Sequence, residues 1–563
     1  MLEANFIAAS DVRLNLVEPA DARQFASTAI SFSWGATVSG LMTLEVASDA
    51  GFSNLVLRKE TRDLQYVWQE SDQVAGASIA TGTYYWRVRS GIKSAVSATR
   101  SFFVFIAGSI ANGDPLYVNS SASNSAQNGS PQHPYLKISD AIAVSDTLRN
   151  GDATKPVRII VAQGTYNEEL VLKPGISLYG GYDASQSASG AIAWARNISA
   201  NATIVQAPYD NAVIAGADIT TAYRATTVVD GLTLRGGSSL VSTRGVSLSN
   251  SSPTIRNCTI SGGGGTGTGA SRIGVNITNG SSPHVLNNII YATLTAPIGT
   301  TTVASIAVTS SSSALIDGNR VAMAPASGIP NCCGLPANVI HVRQSSTATI
   351  RNNLILGAGM GWTYGIRLEN TSSAQLYNNT IYMPVNGASS AAIQFNSGST
   401  GNTENNVIGT AGGTMPCISE LGGSSNATSL RNNNFFGCSN IYVDTNGTTQ
   451  TMTALCAGNL GTAGCATLLA SPTGTGNISI DNAGNQLLVN LTGPDATIYG
   501  IADNDWRLTT NAAICDVRGG GVDLSANFTA DFLSATRTTA LPSGCTPANA
   551  GAAGWSMGAY ESD

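Results

Sequence analysis

Apolar and polar positions alternate in the same way in eight short segments between residues 229 and 435. The segments are VDGLTL (229–234), IRNCTI (255–260), VLNNII (285–290), IDGNRV (316–321), IRNNLI (350–355), LYNNTI (376–381), TENNVI (403–408) and LRNNNF (430–435). Their third residue is always Gly or Asn, the two residues that enter the left-handed backbone region most cheaply, and it predicts a tight corner. Their sixth residue is always apolar and predicts an inward-facing side chain. Successive corners lie 26 to 34 residues apart, which indicates a solenoid.

A second short strand follows each of the first six corners and keeps the same register. The segments are GVSL (245–248), GVNI (274–277), SIAV (305–308), VIHV (339–342), GIRL (365–368) and AIQF (392–395). Apolar residues alternate with outward ones, as in a strand that is buried on one face. Both patterns together predict a right-handed parallel β-helix, whose coils stack about 4.8 Å apart.

The fourth position of the first pattern is Leu232, then Cys258, then Asn in the six later coils. Leu and Cys indicate that this position faces inward. The later asparagines therefore predict a buried amide ladder, each side chain satisfying its neighbours. A polar binding site is the alternative interpretation of the same residues.

Composition limits the partners. Charged residues make up 11% of the 563 residues and the net charge is −6, which argues against nucleic acid or an anionic membrane as the main partner. No segment is apolar enough over a sufficient length to span a membrane. MLEANFIAAS at the N-terminus has no basic region followed by an apolar core, so no signal peptide is visible.

Eight of the nine cysteines lie at or after residue 332. Cys417/Cys438, Cys456/Cys465 and Cys515/Cys545 are local candidate pairs, and Cys332 and Cys333 are adjacent, although sequence alone leaves the connectivity open. This usage predicts an oxidising compartment outside the cytoplasm, hence an extracellular or cell-surface location. Cys258 is expected to be a buried thiol. A redox or metal site is the disfavoured alternative, because no Cys-x-x-Cys occurs and the chain has three histidines.

The N-terminal part has a different pattern. Residues 1–13 form a leader strand or tail, and residues 14–106 contain short alternating strands with Trp34 and Trp86, which predicts a two-sheet sandwich. This segment resembles bacterial fibronectin type III domains, in which an early Trp packs against a YYWRVR-like strand. The resemblance implies a spacer or binding module. Residues 107–116 form a Gly/Asn/Pro linker.

Residues 117–563 resemble the right-handed β-helix proteins of bacterial surfaces and secreted carbohydrate-active enzymes, which share the pectin-lyase-like fold. The resemblance lies in a capping segment around Tyr117, Pro134 and Ile138, and in VAQGTYNEELVLKPGISLYGGY (161–182). It implies an N-terminal helical cap, whose pattern of Ile138, Ala141, Ile142 and Leu148 is amphipathic. It also implies a C-terminal cap that ends in GAYE (558–561) and is held by Cys515 and Cys545. Residues 499–510 are expected to form a late coil.

The candidate chemistry is sparse. Between residues 231 and 440 the acids are Asp317, Glu369, Glu404 and Glu420, each on a different coil, whereas a hydrolase needs a carboxylate pair. The motifs of the pectin hydrolases and pectate lyases are absent. Acids cluster near the end of the chain at Asp503, Asp505, Asp516 and Asp523, but solvated turns are favoured over Ca²⁺ there. No metal or cofactor is therefore expected.

Three consecutive coils carry insertions at one corner, at 262–272, 292–304 and 324–338. Stacking of the coils predicts one raised patch, which includes Gly262, Thr295, Pro330, Cys332 and Cys333 and which contacts a partner or a second copy; insertions without a role are the alternative. Trp362, Tyr364 and Tyr382 are candidate stacking platforms for sugars.

The favoured function from sequence is a non-catalytic extracellular or cell-surface structural or adhesive protein, which assembles with copies of itself into filaments or a surface layer. A low-charge surface of Ser, Thr and Asn suits such packing or contact with glycans. The alternative is a glycan-binding module or a polysaccharide lyase or hydrolase. Catalysis is the less favoured interpretation, because no complete catalytic arrangement is visible in the chain.

Overall fold

The computed structural model describes most of the chain and leaves gaps. The described residues are 13–19, 21, 23–25, 30–37, 40–68, 73–74, 82–91, 95–104, 115–122, 127, 129–149, 151–185, 194–215, 218–238, 242–263, 271–294, 303–325, 336–357, 362–384, 390–411, 415–422, 424–438, 440–443, 449–450, 473–475, 477–479, 487–490, 505–510, 514–543, 545–547 and 554–561. Two compact units result: Met1–Gly164 with Tyr179–Thr203, and Thr165–Leu178 with Ile204–Asp563. The domain boundaries expected from sequence remain a prediction.

The first unit begins with eight strands in two sheets. They are β1 (Leu14–Glu18), β2 (Arg23–Phe25), β3 (Ser31–Ala36), β4 (Met42–Ala47), β5 (Leu55–Thr61), β6 (Gln65–Val67), β7 (Gly82–Ser90) and β8 (Arg100–Val104). The orders are β1-β3-β6 and β2-β8-β7-β4-β5, and all pairs except β2 with β8 are antiparallel. Trp34, Trp68 and Trp86 share one buried core. A fibronectin type III identity for these sheets remains a prediction.

The predicted capping helix is present. Helix α1 (Ile138–Leu148) packs against β9 (Leu116–Val118) and β10 (Val157–Ala162), which form a parallel pair. Ile138, Ala141 and Ile142 are buried, as the amphipathic pattern predicts. Strand β14 (Ala195–Arg196) pairs antiparallel with the end of β13 (Ile176–Asp183).

The second unit is the predicted parallel β-helix. Each coil passes through three strands, which we assign to sheets I, II and III in the order in which the chain visits them. Sheet I contains β17 (Val228–Asp230), β20 (Thr254–Arg256), β23 (His284–Leu286), β26 (Ser313–Asp317), β29 (Thr347–Arg351), β32 (Ser373–Tyr377), β35 (Thr400–Glu404), β38 (Asn426–Arg431) and β42 (Thr473–Thr475). Sheet II contains β15 (Thr203–Gln206), β18 (Thr233–Arg235), β21 (Thr259–Ser261), β24 (Ile289–Leu294), β27 (Arg320–Pro325), β30 (Leu354–Leu356), β33 (Thr380–Met383), β36 (Val407–Thr410) and β39 (Asn434–Phe436).

Sheet III follows the insertion-bearing corner. It contains β12 (Leu170–Leu172), β16 (Asn211–Ala215), β19 (Ser242–Ser249), β22 (Ser271–Thr278), β25 (Val303–Val308), β28 (Ala337–Arg343), β31 (Thr363–Glu369), β34 (Ala391–Asn396), β37 (Ile418–Leu421), β40 (Tyr442–Val443) and β41 (Thr449–Gln450). Neighbouring strands pair in parallel, except β40 with β41. The remaining elements are β11 (Gly164–Tyr166), a 3₁₀ turn (Thr221–Tyr223), β43 (Leu488–Asn490), β44 (Asp505–Leu508) and α2 (Cys515–Arg518). Strand β44 pairs antiparallel with β43, so the late coil expected at 499–510 is not formed by its described residues.

The corner between sheets I and II has the predicted conformation. All eight third-position residues have positive φ, from 48° at Asn432 to 75° at Gly231. The fourth-position asparagines form the predicted ladder: Asn353 Nδ2 donates to Asn379 Oδ1 at 3.0 Å, and the same bond recurs from Asn288 to Asn433. Asn433 donates in turn to Asn477, a further rung. The ladder interpretation is therefore confirmed over the binding-site interpretation.

A second buried ladder, not predicted, lies at the corner between sheets III and I. Its members are serines that each follow a turn: Ser251, Ser281, Ser312, Ser346, Ser372, Ser399 and Ser425. The main-chain N–H of Ser346 donates to Ser372 Oγ at 3.2 Å, and Ser346 Oγ accepts from the N–H of Ser312. A main-chain amide of the adjacent coil likewise donates to the hydroxyls of Ser281, Ser399 and Ser425.

The C-terminal segment (residues 514–561) lies along the side of the coils. Four third-position asparagines, Asn352, Asn378, Asn405 and Asn432, donate to its main-chain carbonyls. Beneath it the outer face of sheet II is apolar, with Leu354 and Leu356 in a buried cluster, whereas the earlier strand β18 presents Thr233 and Arg235. The segment therefore covers the part of sheet II that solvent would otherwise reach.

The cysteines behave largely as expected where they are described. Cys417–Cys438 and Cys515–Cys545 are disulfide-bonded, and Cys258 is a buried free thiol. Cys332, Cys333, Cys456 and Cys465 lie outside the described residues, so their expected pairing remains a prediction. Among the described residues no helix has the length and apolar character needed to cross a membrane.

Candidate functional site

The outer face of sheet III carries a row of residues in register across seven strands. In chain order the row is Ser247, Asn276, Ala307, His341, Arg367, Gln394 and Ser419. The residues on either side of it, such as Ile340 and Val342, are fully buried in the core. Because strand side chains alternate, the row points away from the core. The side chains of the row are short or apolar in the first three strands, whereas β28 and β31 contribute the titratable side chains of His341 and Arg367.

Five side chains of β28, β31 and β34 form one hydrogen-bonded group, which we call the His341 cluster: His341, Arg367, Glu369, Gln394 and Asn396. His341 Nε2 lies 3.0 Å from Glu369 Oε2, and Arg367 Nη2 donates to Glu369 Oε1 at 3.0 Å. Arg367 Nε donates to Gln394 Oε1 at 2.9 Å, and Asn396 Nδ2 donates to Glu369 Oε1 at 3.3 Å. The carboxylate is thus held from three sides.

The strand register explains this convergence. His341 is aligned with Arg367 and Arg343 with Glu369 in the pairing of β28 with β31, which brings four side chains from two coils together. Glu404, another of the single acids of the coils, lies on sheet I and forms an ion pair with Arg431 at 2.8 Å, so it does not meet Glu369.

Three outward-facing polar atoms of β28 are buried and have no hydrogen-bond partner in the described structure. They are Asn338 Oδ1, His341 Nδ1 and Arg343 Nε. Each such atom costs about 1–3 kcal/mol when it is left unpaired. Three of these atoms lie along one strand, beside the carboxylate of Glu369.

Burial lowers the pKa of His341, and the Glu369 hydrogen bond only partly opposes this effect. The pKa of Glu369 is lowered, first by the hydrogen bond from His341 and also by Arg367. A carboxylate can only accept, so Nε2 of the neutral ring carries the proton. Nδ1 therefore has the free lone pair, and it is the atom that lacks a partner.

The candidate aromatic residues differ in their surroundings. Trp362 is 47% exposed, whereas Tyr364 is 6% exposed and lies beneath the Arg367 guanidinium, 5.1 Å from its ring centre. Tyr382 packs between Phe436 and Trp506, with ring centres 5.9 Å and 6.4 Å away. Of the three, Trp362 is the one whose geometry suits sugar stacking, and Tyr382 serves packing of the C-terminal region.

The strands that flank the three insertions extend two or three residues into each range expected from the sequence. The strand pairs β21/β22, β24/β25 and β27/β28 flank them, so all three connect sheet II to sheet III in consecutive coils. Gly262 lies at the start of the first insertion, where an added Cβ would come within 2.9 Å of the Ile273 backbone. Thr295, Pro330, Cys332 and Cys333 lie outside the described residues. The role of the patch in contacting a partner remains a prediction.

Among the described residues, no three His, Cys, Asp or Glu side chains converge as metal ligands. Asp505 forms an ion pair with Arg507, and Asp523 accepts a hydrogen bond from the Ser525 main chain. Asp503 is not among the described residues. The site that the geometry does reveal, the His341 cluster, was missed at the sequence level. Its signal was present, because VIHV, GIRL and AIQF place His341, Arg367 and Gln394 at the same outward position.

No protein-family model matches this chain, and no curated protein sequence matches it. A search of solved structures finds a crystal structure of pectate lyase Pel9A, 13% identical, covering 80% of this chain and 96% of that one, with a TM-score of 0.42. It also finds the A-module of mannuronan C-5 epimerase AlgE6 from Azotobacter vinelandii, 12% identical, covering 61% and 95%, with a TM-score of 0.21. With both TM-scores below 0.5, neither match assigns a fold, an activity or a residue role to this chain.

Proposed function

We propose that this protein binds an acidic polysaccharide on the outer face of sheet III and removes a proton from it at Nδ1 of His341. This proposal rests on the environment of the His341 ring. Its Nδ1 is buried and has no partner in the described structure, and its Nε2 is bonded to Glu369. A neutral imidazole held in this way is a general base with a fixed lone pair.

The preference for an acidic ligand rests on Arg343. Its Nε is buried without a partner, and its charge acts on both His341 and Glu369. Arg367, by contrast, is already bonded to Glu369 and Gln394. Arg343 is therefore the guanidinium that remains for a ligand carboxylate, which it can bind through two parallel hydrogen bonds. Trp362, which directly precedes β31, is exposed and offers a surface for a sugar ring.

Elimination suits this group better than hydrolysis. Glycoside hydrolysis requires two carboxylates, and the described part of the His341 cluster contains one, Glu369, which is engaged with His341 and Arg367. In the proposed step, Nδ1 takes the proton on the carbon next to the sugar carboxylate. The bond from the ring to the leaving sugar oxygen then breaks and a C=C bond forms. The leaving oxygen takes a proton from water.

A structural or adhesive role offers no reason for this arrangement. A scaffold gains stability when buried polar atoms are paired, and three unpaired atoms on β28 reduce its stability. An extracellular site of action is consistent with the two disulfides, which persist in oxidising compartments. Self-assembly and the surface-layer role remain expectations from the sequence.

The test is product formation from polygalacturonate and from polymannuronate, followed by ultraviolet absorbance of the unsaturated sugar. The wild type is expected to release this product, and His341→Ala to lose at least 100-fold in rate. Arg343→Gln is expected to raise KM. The rise should be smaller on a partly carboxyl-reduced polymer, which retains only some of its acidic units. Ser247→Ala, in the same outward row on β19, is the matched control and should keep the wild-type rate. A wild type without product on both polymers, or a fully active His341→Ala, would refute the proposal.

A further inference from the structure

A second concave surface lies at the corner between sheets II and III in the early coils, away from the His341 cluster. It is a groove of about 290 Å³. Its lining residues are Gln206, Arg235, Gly236, Gly237, Ser238, Ser261 and Gly263. A volume of ~300 Å³ is at the lower end of small-molecule sites, and it suits one unit of a larger ligand better than a whole cofactor.

The groove has a side wall and a floor of different chemistry. The wall is a row of sheet II: Gln206 on β15, Arg235 on β18 and Ser261 on β21 are aligned in the parallel register, and their side chains point outward. Beyond these residues the chain turns towards sheet III through glycines. The wall therefore supplies polar side chains, and the floor supplies main chain.

The floor of the groove has no side chains because the close packing of the coils requires glycine there. A Cβ at Gly237 would lie 1.7 Å from the Tyr209 carbonyl oxygen, and a Cβ at Gly263 would lie 2.2 Å from the Gly237 carbonyl oxygen. Consecutive coils thus touch backbone to backbone at this corner. A ligand ring can in consequence approach the main chain without meeting a side chain.

The polar groups of the groove leave one strong donor available. Gln206 Nε2 is held by the carbonyls of Ala207 and Gly236, at 3.3 Å each. Arg235 is exposed, and in the described structure its guanidinium has no carboxylate or other partner. A guanidinium without a counter-charge on a protein of net charge −6 favours an anionic group on the ligand.

An exposed aromatic residue borders the groove. Tyr209 lies against Gly237 through its main chain, and its side chain is 76% exposed, the highest value among the large apolar residues of the described chain. An exposed aromatic ring and a charged donor are the two groups that bind the apolar face of a sugar ring and its charged substituent. Trp362 lies at the same kind of corner, between β30 and β31.

We propose that this groove is a second, non-catalytic binding site for one acidic sugar unit of a polysaccharide. Arg235 binds its charged group, and the ring of Tyr209 stacks on its apolar face. Three coil steps separate β19, in the coil of Arg235, from β28, which carries His341; this is about 14 Å along the stacking direction, so one polymer chain can engage both places. The effect of a second point of attachment is tighter binding of long chains than of short ones. The inference stands apart from the proposed elimination, because the groove contributes no proton-transfer group.

The test measures binding separately from turnover. Affinity electrophoresis through gels that contain polygalacturonate is run with His341→Ala, and with the same protein carrying Tyr209→Ala or Arg235→Gln. Each second change is expected to weaken retardation at least fivefold, and replacement of polygalacturonate by its carboxyl-reduced form should abolish the effect of Arg235→Gln. Arg62→Gln in the same background removes the same charge from another exposed surface and should change nothing.

The outcomes distinguish the two proposals. Equal retardation of all variants, or no retardation of the His341→Ala parent, overturns the second site whatever the wild type releases as product. Dependence of binding on Tyr209 and Arg235 in a protein that forms no product supports the groove and refutes the elimination. Tyr209→Ala and Arg235→Gln alone should keep the wild-type kcat on short oligosaccharides. Matching thermal unfolding curves for all variants exclude a folding defect.

Discussion

His341 Nε2 lies 3.0 Å from Glu369 Oε2, although the two residues are 28 positions apart and belong to different coils. Parallel stacking makes this contact local in space, because β28 and β31 are direct neighbours. The contact fixes the tautomer of the ring and leaves the lone pair on Nδ1. It also makes the titration of His341 depend on two neighbours with opposite effects, Glu369 and Arg367.

The pKa of His341 should respond in opposite directions to substitution of those neighbours. Glu369 raises this pKa and Arg367 lowers it, while burial keeps it below the usual 6.5. Glu369→Gln is therefore expected to lower the pKa of His341 further, and Arg367→Gln to raise it. The chain has three histidines, so the ring signals can be resolved by NMR titration. Shifts of the same sign in both variants would contradict the arrangement.

The rate of the proposed reaction should follow this titration. A base must be neutral, so the rate falls on the acidic side, with an apparent pKa below 6.5. Glu369→Gln should move that acidic limb to lower pH and reduce the maximal rate, because the tautomer is held less firmly. Arg367→Gln should move the limb to higher pH. An acidic limb that stays in place in both variants would assign the base to another residue.

Replacement of one asparagine in the buried ladder should be costly. Asn353 accepts two hydrogen bonds from Asn319, and its amide donates to Asn379, Ile316 and Arg351. Asn353→Ala leaves several of these groups buried and unpaired, and we expect a loss of about 3 kcal/mol or more in the free energy of unfolding. Thr349→Ser, on the outer face of β29, is the control and should stay within about 0.5 kcal/mol. Urea unfolding measures both variants, and a loss no larger than that of the control would argue against the ladder.

The serine ladder permits a comparison of adjacent residues. Ser345 and Ser346 both follow β28, but Ser345 is exposed with φ of 56°, whereas Ser346 is fully buried. Ser346→Ala leaves the Ser312 amide without its acceptor, and we expect it to cost about 1–2 kcal/mol. Ser345→Ala removes only an exposed hydroxyl contact with Thr371 and should cost a few tenths. Equal losses in the two variants would rule out the ladder as a source of stability.

The fold could be derived from the sequence because each coil repeats the same local requirements. Gly or Asn at the corner and an apolar residue three positions later recur often enough to fix the register, and positive φ at Asn257 and full burial of Ile260 follow from them. The serine ladder was harder to recognise, because Ser346 lies among other small polar residues that also occur in solvated turns. A buried hydroxyl and an exposed one have the same sequence signature.

The candidate site escaped the sequence for a different reason. His341, Arg367 and Glu369 are single polar residues in strands that otherwise alternate normally, and outward positions of a strand carry no constraint on residue type. These residues differ from other outward-facing residues because they are buried or partly buried, and their burial depends on how distant segments of the chain pack. The path of the C-terminal segment was inaccessible for the same reason, since Asn352 has identical local geometry whether it faces water or a main-chain carbonyl.

Attachment of the C-terminal segment should weaken as the pH rises. Arg537 is fully buried and donates to Asn352, to three main-chain carbonyls and to Glu561. Burial raises the pKa of Glu561 to about 7, above the usual 4.5, and Asp531 reinforces this shift. A carboxyl group whose pKa is higher in the folded state contributes stability that is complete below about 4.5 and is lost as the pH rises through about 7.

Hydrogen exchange of residues 514–561 between pH 5 and pH 8, corrected for the intrinsic pH dependence of exchange, measures this attachment. Protection is expected to fall across that range in the wild type and to change much less in Glu561→Gln, which is neutral throughout. Asp523→Asn, in the same segment, is the control and should retain the wild-type trend. Arg537→Met tests the anchor itself, because loss of the guanidinium leaves Asn352 Oδ1 and the Glu561 carboxylate without their partner, with an expected cost of about 3–5 kcal/mol. If Glu561→Gln kept the wild-type pH dependence, Glu561 would not be the group whose titration weakens the attachment.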